Sequence, residues 1–205
     1  MTADPASRDR LLAGAIEYVG EHGIGDVSLR TLATALGTSH RMLIYHFGSK
    51  EGLLRTIVEE LEQRQRDTIA ELMRDPDITV PELARRMWKQ LSDPQLWPFE
   101  KLFFEVYAQA LQGRPHAQPL LDVVLEPLFE QMRVLHRRQG MQPARARAHA
   151  RLGVAAVRGL LLDLITTEDR AGVDQAMELQ IELYELDVER NRSRDGGRAR
   201  PRRPR

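Results

Sequence analysis

The sequence predicts an all-α protein: an N-terminal three-helix domain built round a helix-turn-helix, joined to a C-terminal helical bundle that dimerises. Three observations carry this prediction. Apolar residues recur at three- and four-residue intervals along most of the 205 residues, no segment alternates apolar and polar residues as a half-buried strand would, and short Gly- and Pro-bearing turn signals separate the periodic stretches.

The elements follow in order. Leu12, Ala15, Ile16 and Val19 form the buried stripe of a first helix that stops at His22-Gly23. Ser28 is a natural N-cap for a second helix, whose Leu29, Leu32, Ala33 and Leu36 fall at i, i+3, i+4 and i+7. Gly37 stands where a chain must turn through the left-handed region, and Ser39 can cap a third helix two residues later. In that third helix Leu43 and Phe47 share the inward face. Arg41 and Tyr45 share the outward one, with Met42, Ile44 and His46 at the flanks. Ser49 caps a helix beginning at Lys50, and further helices are expected over 50–73, 79–92, 96–112, 118–139, 143–166 and 171–190. Their breaks are Asp75-Pro76, Asp93-Pro94, Gly113-Arg114-Pro115 and Gly140 to Pro143. Pro127 falls inside one of these helices and is expected to kink it, because it has no N–H to donate. The domains read as 1–49, 50–190 and an Arg-rich, low-complexity tail over 191–205 that is expected to be disordered.

Charge is distributed rather than balanced. The chain has 30 basic and 30 acidic residues, yet seven Arg and one Asp fall in 192–205, so the rest carries a net charge of −6. Against that acidic background no Asp or Glu occurs from Val27 to Lys50, while Arg30, His40, Arg41, His46 and Lys50 do, and such a surface can approach a polyanion. Lys50 sits in the first turn of its helix, against the positive end of the dipole. This costs up to roughly 1 kcal/mol unless a phosphate lies nearby. A Gly-Thr-Ser turn between amphipathic helices also occurs in ordinary bundles; the conjunction with the basic, acid-free outer face is what points to DNA.

Over residues 8 to 54, and above all in the spacing from Leu36-Gly37 to Tyr45-His46-Phe47-Gly48-Ser49-Lys50-Glu51, the chain resembles the tetracycline-repressor (TetR) type transcriptional regulators. Many members carry Tyr directly after the Leu that matches Leu43, where this chain has Ile44 and places the aromatic at Tyr45. The resemblance implies base-edge contacts from Arg30, His40, Arg41, Met42 and Tyr45. It implies phosphate contacts from Ser28, His46 and Lys50, with Ser39 at the start of the recognition helix. Arg can pair bidentately with guanine, and Met can touch a thymine methyl. For His46 a partly buried structural role stands beside phosphate contact.

Two further features concern the bundle. Residues 152–165 are apolar nearly all round, and the last helix has one stripe of Val173, Met177, Ile181, Tyr184 and Val188 and another of Ala176, Leu179, Leu183 and Leu186. One stripe is expected to pack inward and the other to meet a second copy, with Gly153, Ala156 and Gly159 allowing close approach. The aromatics are sparse, yet Trp88, Trp97, Phe103, Phe104 and Tyr107 cluster with Met132 between residues 84 and 136. In the resembled family such a region encloses a small-molecule pocket, so these six residues and Asp163 are candidate contacts for a small apolar or aromatic effector. Arg158 and Asp163 fit a buried ion pair, a polar anchor in that pocket or interface residues.

The expected function is therefore a ligand-responsive, sequence-specific regulator, a repressor by resemblance, that binds a palindromic double-stranded DNA operator as a homodimer through its last two helices. Its rivals are an architectural DNA binder without effector control and a helical enzyme. No HExxH, phosphate loop or GxSxG elbow is present to support a catalytic site, and no cofactor or metal is implied. The chain has no Cys, no charged-then-apolar leader and no window of ~18 apolar residues, so a cytoplasmic protein without a membrane span is expected. The Arg-rich tail either adds non-specific DNA affinity or serves as a solubilising end.

Overall fold

The computed structural model describes residues 5–23 and 28–198; Val27, where the acid-free stretch begins, and residues 199–205 of the tail lie outside them. Among the described residues the chain forms nine α-helices: α1 (Pro5–His22), α2 (Leu29–Ala35), α3 (His40–Phe47), α4 (Lys50–Leu72), α5 (Val80–Leu91), α6 (Trp97–Leu111), α7 (Pro119–Arg138), α8 (Pro143–Thr167) and α9 (Arg170–Arg198). A short 3-10 turn, Pro94–Leu96, leads into α6.

The local signals act as the sequence predicts. Ser28, Ser39 and Ser49 each cap a helix, accepting the backbone N–H of Thr31, Met42 and Gly52 respectively. Thr79 and Glu82 form a reciprocal capping box at α5. Gly37 takes φ +62°, the left-handed turn that lets α3 leave α2 sharply. α7 runs on through Pro127. The tail is corrected in part: α9 continues to Arg198, past the expected end at 190. A helix already nucleated adds residues without a new nucleation cost, and Arg is a good helix former.

Two apolar clusters hold the molecule. The first joins Leu12, Ile16 and Val19 of α1, Leu32 of α2, Leu43 and Phe47 of α3 and Leu53, Ile57 and Val58 of α4 to Leu102, Phe103 and Val106 of α6 and Leu120 and Val124 of α7. The N-terminal three helices therefore share their core with the bundle. The second cluster gathers Ile69, Leu83, Met87, Leu128, Leu135, Val154, Leu161, Leu164, Val173, Met177 and Ile181 from α4, α5, α7, α8 and α9.

Close backbone approach fixes the turn between α3 and α4. A Cβ on Gly52 would collide with the Phe47 carbonyl oxygen, a backbone atom that cannot swing aside, and Thr56 donates from Oγ1 to the Gly52 carbonyl at 2.9 Å. Gly52→Ala is therefore expected to destabilise the fold by about 1–3 kcal/mol, since overpacking forces a backbone shift. Urea denaturation with an unchanged midpoint would contradict this.

Candidate functional site

The outer face of α2 and α3 is built by the inner one. Leu43 and Phe47 are 0% and 8% exposed against α1, α2 and α4, which leaves the other side of α3 in solvent, with Tyr45 51% and Met42 38% exposed. His40, Arg41 and Ile44 are exposed beside them, and Arg30 and Ser28 are exposed on α2. Ser39 accepts from Met42 at the start of α3 and keeps its own hydroxyl proton free to donate. Lys50 stands half-buried at the first position of α4. The structure thus brings Arg30, Ser39, His40, Arg41, Met42 and Tyr45 onto one surface. His46 differs: both ring nitrogens are buried without a hydrogen-bond partner, and the ring packs beside Tyr45 and Phe47. The expected phosphate contact from His46 is corrected to a packing role, because the ring would have to turn outward to present a donor. One residue not anticipated joins this edge: the Arg8 guanidinium of α1 lies 5.4 Å from the Phe47 ring centroid.

A second site lies inside the bundle. A cavity of about 140 Å³ is lined by α4, α5, α6, α7, α8 and α9. Its wall is largely apolar, with Ile69, Leu83, Met87, Phe103, Phe104, Leu128, Met132, Val154 and Leu161 among the lining side chains. Three of the expected pocket residues line it: Phe103, Phe104 and Met132. The other four do not, and each has a physical reason. Trp88 is buried in the second cluster, its indole N–H turned to α9, where it donates to Asp174 Oδ1 at 2.7 Å. Trp97 packs against the second cluster at the start of α6. Tyr107 stacks on Phe103 from behind, centroids 5.5 Å apart. Asp163 is exposed on α8, so it is neither a pocket anchor nor the partner of Arg158.

Arg158 pairs instead with Glu62 of α4, Nη2 to Oε2 at 3.2 Å, and its guanidinium carbon sits 4.2 Å from the Phe103 ring centroid. Glu62 and Glu100 both line the cavity. Burial raises the Glu62 carboxyl against the opposing pull of Arg158 and Arg66. Burial first, and Glu62 second, push Glu100 up to about 7 against the pull of Arg158. At the far end His136 Nδ1 lies 3.2 Å from the Tyr184 hydroxyl, and burial with neighbouring His149 drives the imidazole down to about 4, so His136 is neutral. His149 is held by Asp187, Nε2 to Oδ2 at 2.8 Å. The charged lining was legible only in register: Glu62 continues the stripe of Leu54, Val58 and Ile69, and Glu100 lies three and four residues before Phe103 and Phe104.

Comparison with known proteins identifies the N-terminal domain. Residues 11–57 match the family described as bacterial regulatory proteins, tetR family. The N-terminal domain is therefore of the tetR type, and the chain is similar to HTH-type transcriptional regulators. It is 38% identical over 79 residues to the HTH-type transcriptional regulatory protein RaaS of Mycobacterium tuberculosis, a match covering 38% of this chain and 37% of RaaS; the chain spans little more than a third of that relative's length. It is 27% identical over 180 residues to the HTH-type transcriptional regulator BetI of Pseudomonas paraeruginosa, covering 85% of this chain and 89% of BetI. Among solved structures it is similar to the multidrug binding protein EbrR, crystallised with imidazole, at 26% identity and a TM-score of 0.61, covering 88% of this chain and 90% of EbrR.

The two sides of α3 in this TetR-type domain make a separable prediction. Leu43→Ala should cost about 2–5 kcal/mol of stability, whereas Tyr45→Ala on the exposed side should stay within about 0.5 kcal/mol. Urea titrations of both variants check this, and equal losses would show that the solvent side of α3 is not a free surface.

Proposed function

We propose that this regulator is a ligand-responsive repressor that binds a palindromic operator as a homodimer, reading the major groove with α3. The observation that carries the proposal is the double engagement of α6. Glu100, Phe103 and Phe104 on that helix line the cavity, while Phe99 lies against α1, where a Cβ on Gly20 would meet the ring at 2.8 Å. A molecule that displaces α6 presses on the α1 support of α2 and α3. α4 gives the same coupling a second route, since Glu62 and Ile69 face the cavity and Leu53 and Ile57 pack under α3. An effector regulates only through a difference in affinity between the two arrangements of the DNA-binding domains.

Arg30, His40, Arg41, Met42 and Tyr45 are assigned to base edges, Ser28, Ser39 and Lys50 to phosphates, and Phe103, Phe104 and Met132 to a small apolar or aromatic effector. EbrR, named as a multidrug binding protein and solved with imidazole, supports a ligand-binding role for a chain of this fold. The dimer is assigned to α8 and α9. Leu179, Leu183 and Leu186 of α9 and Leu152 and Leu162 of α8 are between 47% and 61% exposed, while Val173, Met177 and Ile181 on the other stripe of α9 are buried. Gly159 faces open space on the same side; Gly153, by contrast, borders the cavity. A two-fold pair would hold its recognition helices about 34–36 Å apart or at a related spacing, matching a palindrome. The reading places the protein in the cytoplasm and assigns it no catalytic residue. An architectural binder would show little preference among sequences, whereas this reading requires protection of a defined palindrome, most directly sought upstream of the chain's own gene.

Two outcomes follow. Arg41→Ala should weaken operator binding by about 1–3 kcal/mol at unchanged melting temperature, measured by fluorescence anisotropy; retained affinity would remove Arg41 from the base-reading set. Leu183→Glu with Leu186→Glu should yield a monomer by analytical ultracentrifugation and abolish operator retention. A persistent dimer would move the interface elsewhere.

A further inference from the structure

We infer that the cavity takes a small organic cation, an ammonium group on an apolar or aromatic body, with the Glu100 carboxylate as its counter-ion. The inference rests on the effector reading above and names the chemistry of the ligand. Three charged side chains face one another across this end of the cavity: Glu62 from α4, Glu100 from α6 and Arg158 from α8. Arg158 pairs through Nη2 with Glu62 and lies over the Phe103 ring, while its Nη1 is buried without a hydrogen-bond partner. Glu100 has no hydrogen-bond or ion-pair partner among the described residues. Arg158 pairs with Glu62, on which Arg66 of α4 also acts, and no ion pair among the described residues reaches Glu100; the surrounding wall offers apolar side chains, the Phe104 ring and the amides of Gln65 and Gln180. A cation satisfies the Glu100 carboxylate and the Phe104 ring quadrupole together. An anion would have to enter beside two carboxylates, at a Coulombic cost that the low-dielectric wall increases.

The remaining titratable groups at the cavity neither supply nor cancel that charge. His136 of α7 is neutral, and Tyr184 of α9 lies beside it; His149 of α8 is held by Asp187, which also pairs with Arg145. Without a ligand, Glu100 shares its proton with solvent near neutrality, at about 7. Binding of a quaternary ammonium, which carries no titratable proton, must expel that proton. Affinity is therefore full above this value and falls as the pH drops through it, by about tenfold between pH 8 and pH 6.

Isothermal titration of the full chain with benzyltrimethylammonium, benzyl alcohol and phenylacetate tests this. Benzyltrimethylammonium should bind at least tenfold tighter than either other probe. It should release close to one proton at pH 6, read from heats in buffers of different ionisation enthalpy, and lose most of its affinity and its pH dependence in Glu100→Gln. Should that variant fold poorly, the pH dependence and proton release of the natural chain decide alone. Tighter binding of benzyl alcohol or phenylacetate, binding of none of the three, or cation binding without proton release would overturn the inference. If phenylacetate or benzyl alcohol binds and releases operator, the cation assignment falls and the effector reading stands. If the cation binds as described and operator affinity does not change, the cation assignment stands and the effector reading falls for that ligand.

Discussion

α6 packs against α1 and so joins the support of the helix-turn-helix to the bundle. Leu102, Phe103 and Val106 belong to the same apolar cluster as Leu12, Ile16 and Val19, and Gly20 is small enough for the Phe99 ring to lie on the α1 backbone. A protein interior is close-packed, so elements that share a core move as bodies rather than deforming locally. The helix-turn-helix is thus not a module tethered by a flexible linker. Its support helix is fastened to a wall of the cavity, and α4 fastens it again through Leu53, Leu54, Ile57 and Val58.

The polar groups at the cavity would be costly if they served only stability. Burying a carboxylate that lacks a partner is unfavourable, and an apolar residue in its place is often neutral or better. Glu62 is compensated by Arg158, whose guanidinium also covers Phe103. Glu100 is not, and its carboxyl answers by moving up to about 7. In the proposed reading that uncompensated group is retained for a ligand, which would convert its burial cost into selectivity between cation and anion. The Arg158–Glu62 pair adds a link between α8 and α4, so the charged end of the cavity touches both the helix that reaches α3 and a helix of the proposed interface.

Most of the fold was legible because each boundary has a local cause. Ser28, Ser39, Ser49 and Thr79 cap helices, Gly37 turns the chain, and the six later helices lie within two residues of the expected bounds except at the end of α9. The outer face of α3 was legible for the same reason: two buried positions four apart leave little choice for the residues between. The cavity was less so. Aromatic residue type does not say which way a ring points: Trp88, Trp97 and Tyr107 pack outside the cavity, whereas Phe103 and Phe104 line it. Arg158 was conspicuous in its apolar run, but its partner lies 96 residues away on α4, a separation that no local pattern encodes. His46 shows the converse. A polar residue beside a recognition surface reads as a contact, yet packing between Tyr45 and Phe47 hides both of its nitrogens.

α8 and α9 each have two used faces. Leu161 and Met177 close the cavity from inside, while Leu162, Leu179 and Leu183 stand outside in solvent. Contiguous exposed apolar residues on adjoining helices are uncommon on a monomer and mark a surface that another body covers. If a second copy covers it, the outer leucines fix α8 and α9 of both chains in place, and the floor of the cavity becomes the stationary part. A ligand pressing on a fixed floor can only displace the opposite wall, which is α4 and α6. These are the helices packed against α1 and α3, so a dimer on this face would direct the expansion of the cavity toward the DNA-binding surface rather than away from it.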